Sequence, residues 1–204
     1  FHAFGEIRNA YTVDWPLLLA RYRAFLSKTG RLTEARFAHD QLEFGAEYLT
    51  YGEQRFHNII FCEGQGVRHN PWFRDLPFEF AKGEVLLIYL PGANFDAILK
   101  HRLLIAPWQG DVYWAGSNYE RGATDSTPTP ETRAFLLKHL RQTFRVPIDV
   151  VDHLAAIRPT VADRRPLLGR HPKHPRLILF NGLGTKGSSL APFWSKHLLA
   201  HLEE

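Results

Sequence analysis

No methionine occurs at any of the 204 positions, and cysteine occurs once, at Cys62. A chain of this size ordinarily carries several methionines, and this one begins with Phe, so it is expected to be a fragment of a longer protein. The opening FHAFGEIRNAYTVDW agrees, because it mixes apolar and polar residues with no polar lead-in. A lone cysteine excludes an internal disulfide and fits a reducing compartment, which makes the cytoplasm the default location. No apolar run approaches the ~18 residues of a membrane span, and no secretory leader pattern is visible. The net charge of +4 is spread along the chain rather than gathered in a run, so no nucleic-acid footprint is expected. The eleven histidines form no zinc-binding H-E-x-x-H. His197 and His201 stand four apart without a third ligand nearby, and they read as the polar edge of a helix. No metal is expected.

What remains is a chain able to bury a core, with 45% hydrophobic and 23% charged residues. Asp14 as N-cap and Pro16 in the first turn predict a helix with Trp15, Leu18, Leu19, Tyr22, Phe25 and Leu26 on one stripe, closed by Gly30. Arg55 to Cys62 (RFHNIIFC) predicts one short strand ending in the turn Glu63-Gly64-Gln65-Gly66, with Cys62 buried. Gly83 to Leu90 (GEVLLIYL) is too apolar for a solvent-facing strand and predicts a buried one. His101–Ala106 and Val112–Ala115 flank PWQGD and predict a hairpin with a five-residue loop. Thr129 and Pro130 start a second long helix with Leu136, Leu137, Leu140 and Phe144 facing inward. Alternating strands and helices of this kind predict a layered α/β or α+β protein.

The stretch LILFNGLGTKGSSLAPFW, residues 177–194, contains a literal G-x-G-x-x-G at Gly182, Gly184 and Gly187. A dinucleotide fingerprint needs a second strand and an acidic ribose ligand about 20 residues further on. Only 17 residues follow Gly187. What survives is a strand, a glycine loop and a helix start, which together present unpaired N–H groups and the positive end of a helix dipole.

Residues 156–187, AIRPTVADRRPLLGRHPKHPRLILFNGLGTKG, resemble the late region of the D-amino-acid oxidase family of flavoenzymes, which includes glycine and sarcosine oxidases. The family's Arg-Pro, Asp, Pro, two apolar residues and Gly are matched by Arg158, Pro159, Asp163, Pro166, Leu167, Leu168 and Gly169. A glycine loop and a helix with Ala191-Pro192 then follow. Upstream, IIFCEG resembles the strand closing against the flavin, and FEFAKGEVL the entry to the substrate domain. The resemblance covers most of the chain and lacks the family's opening Rossmann segment.

It implies a substrate domain with a mixed, largely antiparallel sheet, residues 1–13 and 80–155. The later part of a Rossmann-like FAD-binding domain would comprise 14–79 and 156–204. It also implies an FAD-dependent oxidoreductase acting on the C–N bond of an amino acid or related amine, with FAD held non-covalently. The implied cofactor-binding positions are Gly64, Gly182, Leu183, Gly184, Thr185, Lys186 and Gly187. The implied catalytic residue is Arg158, its planar fork clamping a substrate carboxylate. On its own Arg158 reads as a surface or salt-bridge arginine and Asp163 as a turn-former rather than a base, while Lys186 reads equally as a solvated loop lysine or as one near the flavin pyrimidine edge. Several amino-acid oxidases of the family carry a strand tyrosine where this chain has Leu103 or Leu104, so Tyr89, Tyr113, Trp114 and Tyr119 are the aromatics left to line a pocket. The partners expected are a small amino-acid or amine substrate, with neither nucleic acid nor membrane. Two other readings stand beside this: a non-enzymatic binding module unable to hold FAD, and a relative that oxidises an amine carried on RNA.

Overall fold

The computed structural model describes residues 5–203. The first four residues of the 1–13 segment therefore lie outside the described residues, and 5–13 form neither helix nor strand. Helix α1, Trp15–Lys28, is built by the capping pattern: the Asp14 carboxylate accepts the Leu17 N–H at 3.0 Å. Its apolar stripe is not covered, since no α1 residue is buried and Leu19 and Tyr22 are 59% and 57% exposed.

A three-strand antiparallel meander follows: β1 (Leu42–Phe44), β2 (Leu49–Tyr51) and β3 (Gln54–Phe56). The stretch RFHNIIFC is not one strand. Arg55 pairs with Thr50 in the meander, whereas β4 (Ile59–Phe61) starts after a break at His57-Asn58 and joins a different sheet. Cys62 is exposed rather than buried. It lies one residue past the end of β4, and Phe61, its neighbour on the opposite side of the strand, takes the core position. Gly64–His69 then form a 3₁₀ turn.

Strand β5, Phe78–Tyr89, is the buried strand the sequence predicts, five residues longer at its N-terminal end. Next come β6 (Leu99–Lys100), β7 (Leu104–Gln109), β8 (Val112–Gly116) and β9 (Glu120–Arg121). The hairpin β7–β8 closes on only two residues, Gly110-Asp111, because Gly110 adopts a φ of +55° and Pro107 to Gln109 continue the strand. Helix α2, Pro130–Thr143, starts where Thr129 accepts the Thr132 N–H, and it buries Leu136 and Leu140 completely. Strand β10, Asp149–Val161, was not apparent from the sequence, because VVDHLAAIRPTV alternates poorly and contains Pro159. It lies at the sheet edge, where a proline is tolerated. Strands β11 (Leu167–Arg170) and β12 (Leu177–Asn181), a 3₁₀ turn at Gly184–Lys186 and helix α3 (Gly187–Glu203) complete the chain.

The large antiparallel sheet has the order β10-β5-β8-β7-β6, with β9 also on β5. A smaller sheet, β11-β12-β4, pairs β12 with β4 in parallel. The two-residue period of β5 divides the large sheet into two unlike faces. Leu86 and Ile88, with Ile105, Tyr113 and Ala115, pack under α2. The other face carries Ala81, Gly83 and Val85, with Arg158 directly opposite Ala81. A second core of Leu49, Phe61, Val67, Phe73, Leu177 and Leu179 joins the meander to the small sheet.

The core face also holds charge. Glu84, fully buried, accepts the Thr129 N–H at 2.8 Å and the Thr129 hydroxyl at 3.0 Å. Lys82 Nζ lies 3.6 Å from Glu84 and 3.4 Å from Glu120, and His153 Nε2 lies 2.9 Å from Glu84. Burial pushes the Glu84 carboxyl up, but the Thr129 and Thr132 hydrogen bonds and the Lys82 charge outweigh it and hold it below the ordinary carboxylate value.

Candidate functional site

Arg158 lies near the C-terminal end of β10, and its guanidinium folds across β5 over Gly83. A Cβ at position 83 would stand 1.8 Å from Arg158 Nη2, so only glycine leaves the slot open. Nη2 donates to Ser117 Oγ at 2.8 Å, while Nη1 is buried with no hydrogen-bond partner. The Tyr119 ring centroid lies 6.0 Å from the guanidinium carbon. Burial lowers the Arg158 pKa, opposed by Tyr119, yet a guanidinium keeps its charge in proteins. The result is a half-buried cation with one amino group held by a serine and the other aimed at nothing. Orphaned donors of this kind are costly, and they point to a missing partner.

Two residues beyond Arg158, the same strand supports the glycine loop. Thr160 lies in hydrogen-bonding reach of the Tyr119 hydroxyl, at 3.5 Å, and donates to the Glu79 carbonyl. Gly182, with a φ of +75°, passes so close that a Cβ would meet Val161 Cγ2 at 2.7 Å and Leu167 N at 3.1 Å. Gly184, with a φ of +57°, would meet Thr160 Cγ2 at 3.2 Å. A side chain at either position would therefore be strained by its backbone, and it would collide with β10 at Gly182 and press tightly on it at Gly184. Asn181, buried at the end of β12, fixes the loop from its other side. Its Oδ1 accepts the Gly182 N–H at 2.8 Å, and its Nδ2 donates to the Gly64 carbonyl at 2.9 Å.

These contacts enclose a cavity of about 440 Å³, lined by Tyr119, Thr160 and the loop residues Gly182, Leu183, Gly184, Thr185 and Lys186. Gly187 opens α3 just behind it, and Gly64 adjoins through Asn181 without lining it. Arg158 itself does not line it, but its guanidinium lies 6.0 Å from the ring of Tyr119, which does, and Thr160, two residues on, lines it as well. The sequence-expected positions thus converge on one region from three elements, although only part of them face the cavity. Ser117, Thr160 and Asn181 carry no motif signal, since each acts through a neighbour, and Gly83, though part of FEFAKGEVL, gives no sign in the sequence that it faces Arg158. Of the four aromatics considered, Tyr119 alone lines this cavity. Tyr113 is fully buried and bonded to the Phe95 backbone. Asp163 is the turn-former, accepting the Arg165 N–H at 2.9 Å. Among the described residues no cluster of three or more metal-binding side chains occurs, and no helix is long and apolar enough to cross a membrane.

Comparison with known proteins identifies the family and the fold. The family model for FAD-dependent oxidoreductases, DAO, matches residues 6–202, and the chain belongs to that family. Iminodiacetate oxidase from Chelativorans sp. BNC1 superposes with a TM-score of 0.71 at 19% identity, over 89% of this chain and 53% of that one. Glycine oxidase from Bacillus cereus gives 0.64 at 18% identity, over 80% and 48%. L-α-glycerophosphate oxidase from Mycoplasma pneumoniae, solved with FAD bound, gives 0.68 at 12% identity, over 93% and 56%. These likenesses show a shared mixed α/β fold. By sequence, the chain is 23% identical over 133 residues to the tRNA 5-methylaminomethyl-2-thiouridine biosynthesis bifunctional protein MnmC of Idiomarina loihiensis, covering 62% of this chain and 22% of that protein. The chain spans about half the length of the solved relatives and about a fifth of the curated one.

Proposed function

We propose that the protein is an FAD-dependent oxidoreductase that oxidises the C–N bond of an amino acid or related amine, with Arg158 holding the substrate carboxylate. The observation that carries the reading is the unpartnered, buried Arg158 Nη1 of a guanidinium packed behind Tyr119, which lines the glycine-cradled cavity. The cavity fits the flavin end of the cofactor in two respects. Glycines 182 and 184 bring backbone rather than side chains to its wall, and the start of α3 supplies the N–H groups and positive dipole end that favour negative charge. Residues 182–187 and Gly64 would border the flavin, held non-covalently, since the one cysteine lies outside the cavity lining. When bound, FAD supplies the two-electron acceptor.

The chain's own contribution is placement. Arg158 fixes the carboxylate, Ser117 and the Gly83 slot fix Arg158, and Tyr119 and Thr160 wall the space between carboxylate and loop. On this reading residues 14–79 and 156–204 serve the FAD side, 1–13 and 80–155 serve the substrate side, and the enzyme works in the cytoplasm. The likeness to MnmC favours a second reading, in which the amine is carried on RNA. Binding of a thiouridine-bearing RNA by the flavin-loaded protein, absent for free amino acids, would establish that one instead.

Kinetics on the flavin-loaded protein test the main reading. Arg158→Ala is expected to lower kcat/KM for an amino acid by about two to four orders of magnitude, because charge-assisted hydrogen bonds contribute ~1.5 to 3 kcal/mol each. Arg158→Lys should recover only part of the loss. A matched amine lacking the carboxylate should be nearly indifferent. Equal losses for both substrates would make Arg158 a purely structural residue, and a protein that binds no flavin would be the non-enzymatic module.

A further inference from the structure

Arg158 is not the only arginine on its face of the sheet. β5 is paired on both sides of Ala81: Arg158 of β10 is its partner on one edge, and Arg121 of β9 is its partner on the other. Directly opposed residues in antiparallel strands project to the same face, so the two arginines flank Ala81 in register. Their Cα atoms are about 10 Å apart, two strand spacings. The floor between them is Ala81 and Gly83, both buried, and the Arg158 guanidinium lies across Gly83, so the open space is the adjoining cavity that Arg121 and Tyr119 line.

Arg121 lines the same 440 Å³ cavity as the glycine loop. Among the described residues no carboxylate stands within ion-pairing distance of its guanidinium. The cavity wall as a whole is cationic: Arg121, Arg164 and Lys186 face a single acid, Glu79, whereas the whole chain has 25 basic residues to 21 acidic ones. Arg164 is held at the rim in a left-handed conformation, φ +61°, by a turn in which its N–H bonds to the Val161 carbonyl at 2.9 Å. A cleft with one sign of charge concentrates ligands of the other.

We propose that the substrate is an amine carrying two anionic groups, one held by Arg158 and the second by Arg121, with Arg164 adding to the field at the rim. The inference rests on the assignment of Arg158 to a substrate carboxylate and extends it to the substrate's class. A short amino or imino dicarboxylate, or an amine bearing one carboxylate and one phosphate, has the required pair. A monocarboxylate such as glycine occupies only the Arg158 half.

Steady-state kinetics and calorimetric binding on the flavin-loaded protein, with glycine, iminodiacetate and N-(phosphonomethyl)glycine, test it. The wild-type protein should prefer a dianion over glycine, and Arg121→Gln should cut kcat/KM and affinity for the dianion by about tenfold to a hundredfold while costing glycine at least ten times less. Which dianion leads tells carboxylate from phosphate at the Arg121 end. Flavin content and thermal midpoint serve as controls, and both should stay at wild-type values because Arg121 is exposed. Absence of any preference for the dianion, or equal losses for both substrates in Arg121→Gln, overturns the proposal while leaving Arg158 in place. Failure of glycine and of every dianion to bind overturns the Arg158 reading itself.

Discussion

Three consecutive residues of β5 put opposite solutions to one problem on the two faces of a sheet. Lys82 and Glu84 project into the core under α2, where Glu84 is fully buried and hydrogen-bonded by Thr129, Lys82 lies near Glu84 and Glu120, and His153 Nε2, without a hydrogen bond of good geometry, stands 2.9 Å from Glu84. Gly83, between them, opens the other face to the Arg158 guanidinium, which has one serine and an empty amino group. Buried charge that serves architecture is closed off by the chain's own groups. On the proposed reading, buried charge that serves a ligand is left incomplete, at a cost offset only when the ligand binds. On that reading the same strand separates a structural ion cluster from a binding one by a single step of its two-residue period.

If that contrast is right, the two faces should break differently. The largest effect on stability is expected at Glu84. Glu84→Ala leaves Lys82 without its buried partner and the N-cap of α2 without its acceptor, and it should destabilise the fold by about 3 to 5 kcal/mol in urea titrations. On the ligand face, Gly83→Ala pushes a methyl group into the guanidinium and should lower kcat/KM by about one to three orders of magnitude with a much smaller shift in the urea midpoint. Ser117→Ala removes the hydrogen bond that orients Arg158 and should cost about tenfold in kcat/KM, expressed mainly in KM, with little change in stability. A loss of stability from Ser117→Ala matching that from Glu84→Ala would erase the distinction.

The smallest effect expected is a pH dependence. The folded-state pKa of Glu84 lies below its ordinary value of 4.5. Its contribution is therefore fully present above the ordinary carboxyl range and is lost as pH falls through the depressed folded value. The urea midpoint of the wild type should drop more steeply on acidification below that range than that of Glu84→Gln. Parallel curves would remove Glu84 from the account of acid stability.

The helices were legible because their signals are local. Asp14 and Thr129 cap as their spacing indicates, and the leucines of α2 follow the helical period into the core. The glycine loop was legible too, as a motif with a physical reason behind each glycine. What escaped was set by pairing partners distant in sequence. The split between β3 and β4 depends on whether residues 54–61 bond to the meander or to Leu177–Leu179, and nothing in RFHNIIFC specifies that. Strand β10 hides because an edge strand tolerates Pro159 and needs no clean alternation. The exposed stripe of α1 shows the limit from the other side: apolar spacing makes the helix without saying what covers it. In the site, Arg158 was found through a motif, but its slot at Gly83 in β5 and its anchor at Ser117, just past β8, lie 75 and 41 positions away. Asn181, which ties Gly64 to Gly182, is a single polar residue at the end of an apolar strand, with no signal beyond its burial.

The central claim is that the empty amino group of Arg158 is a carboxylate site, and a crystal structure of the flavin-loaded protein with a non-oxidisable carboxylate bound tests it most directly. The account predicts a carboxylate oxygen within hydrogen-bonding distance of Arg158 Nη1, with Nη2 still on Ser117 Oγ and the rest of the ligand pointing toward Tyr119 and the 182–187 loop. A carboxylate bound elsewhere, with Nη1 satisfied by a group of the protein itself, would contradict it.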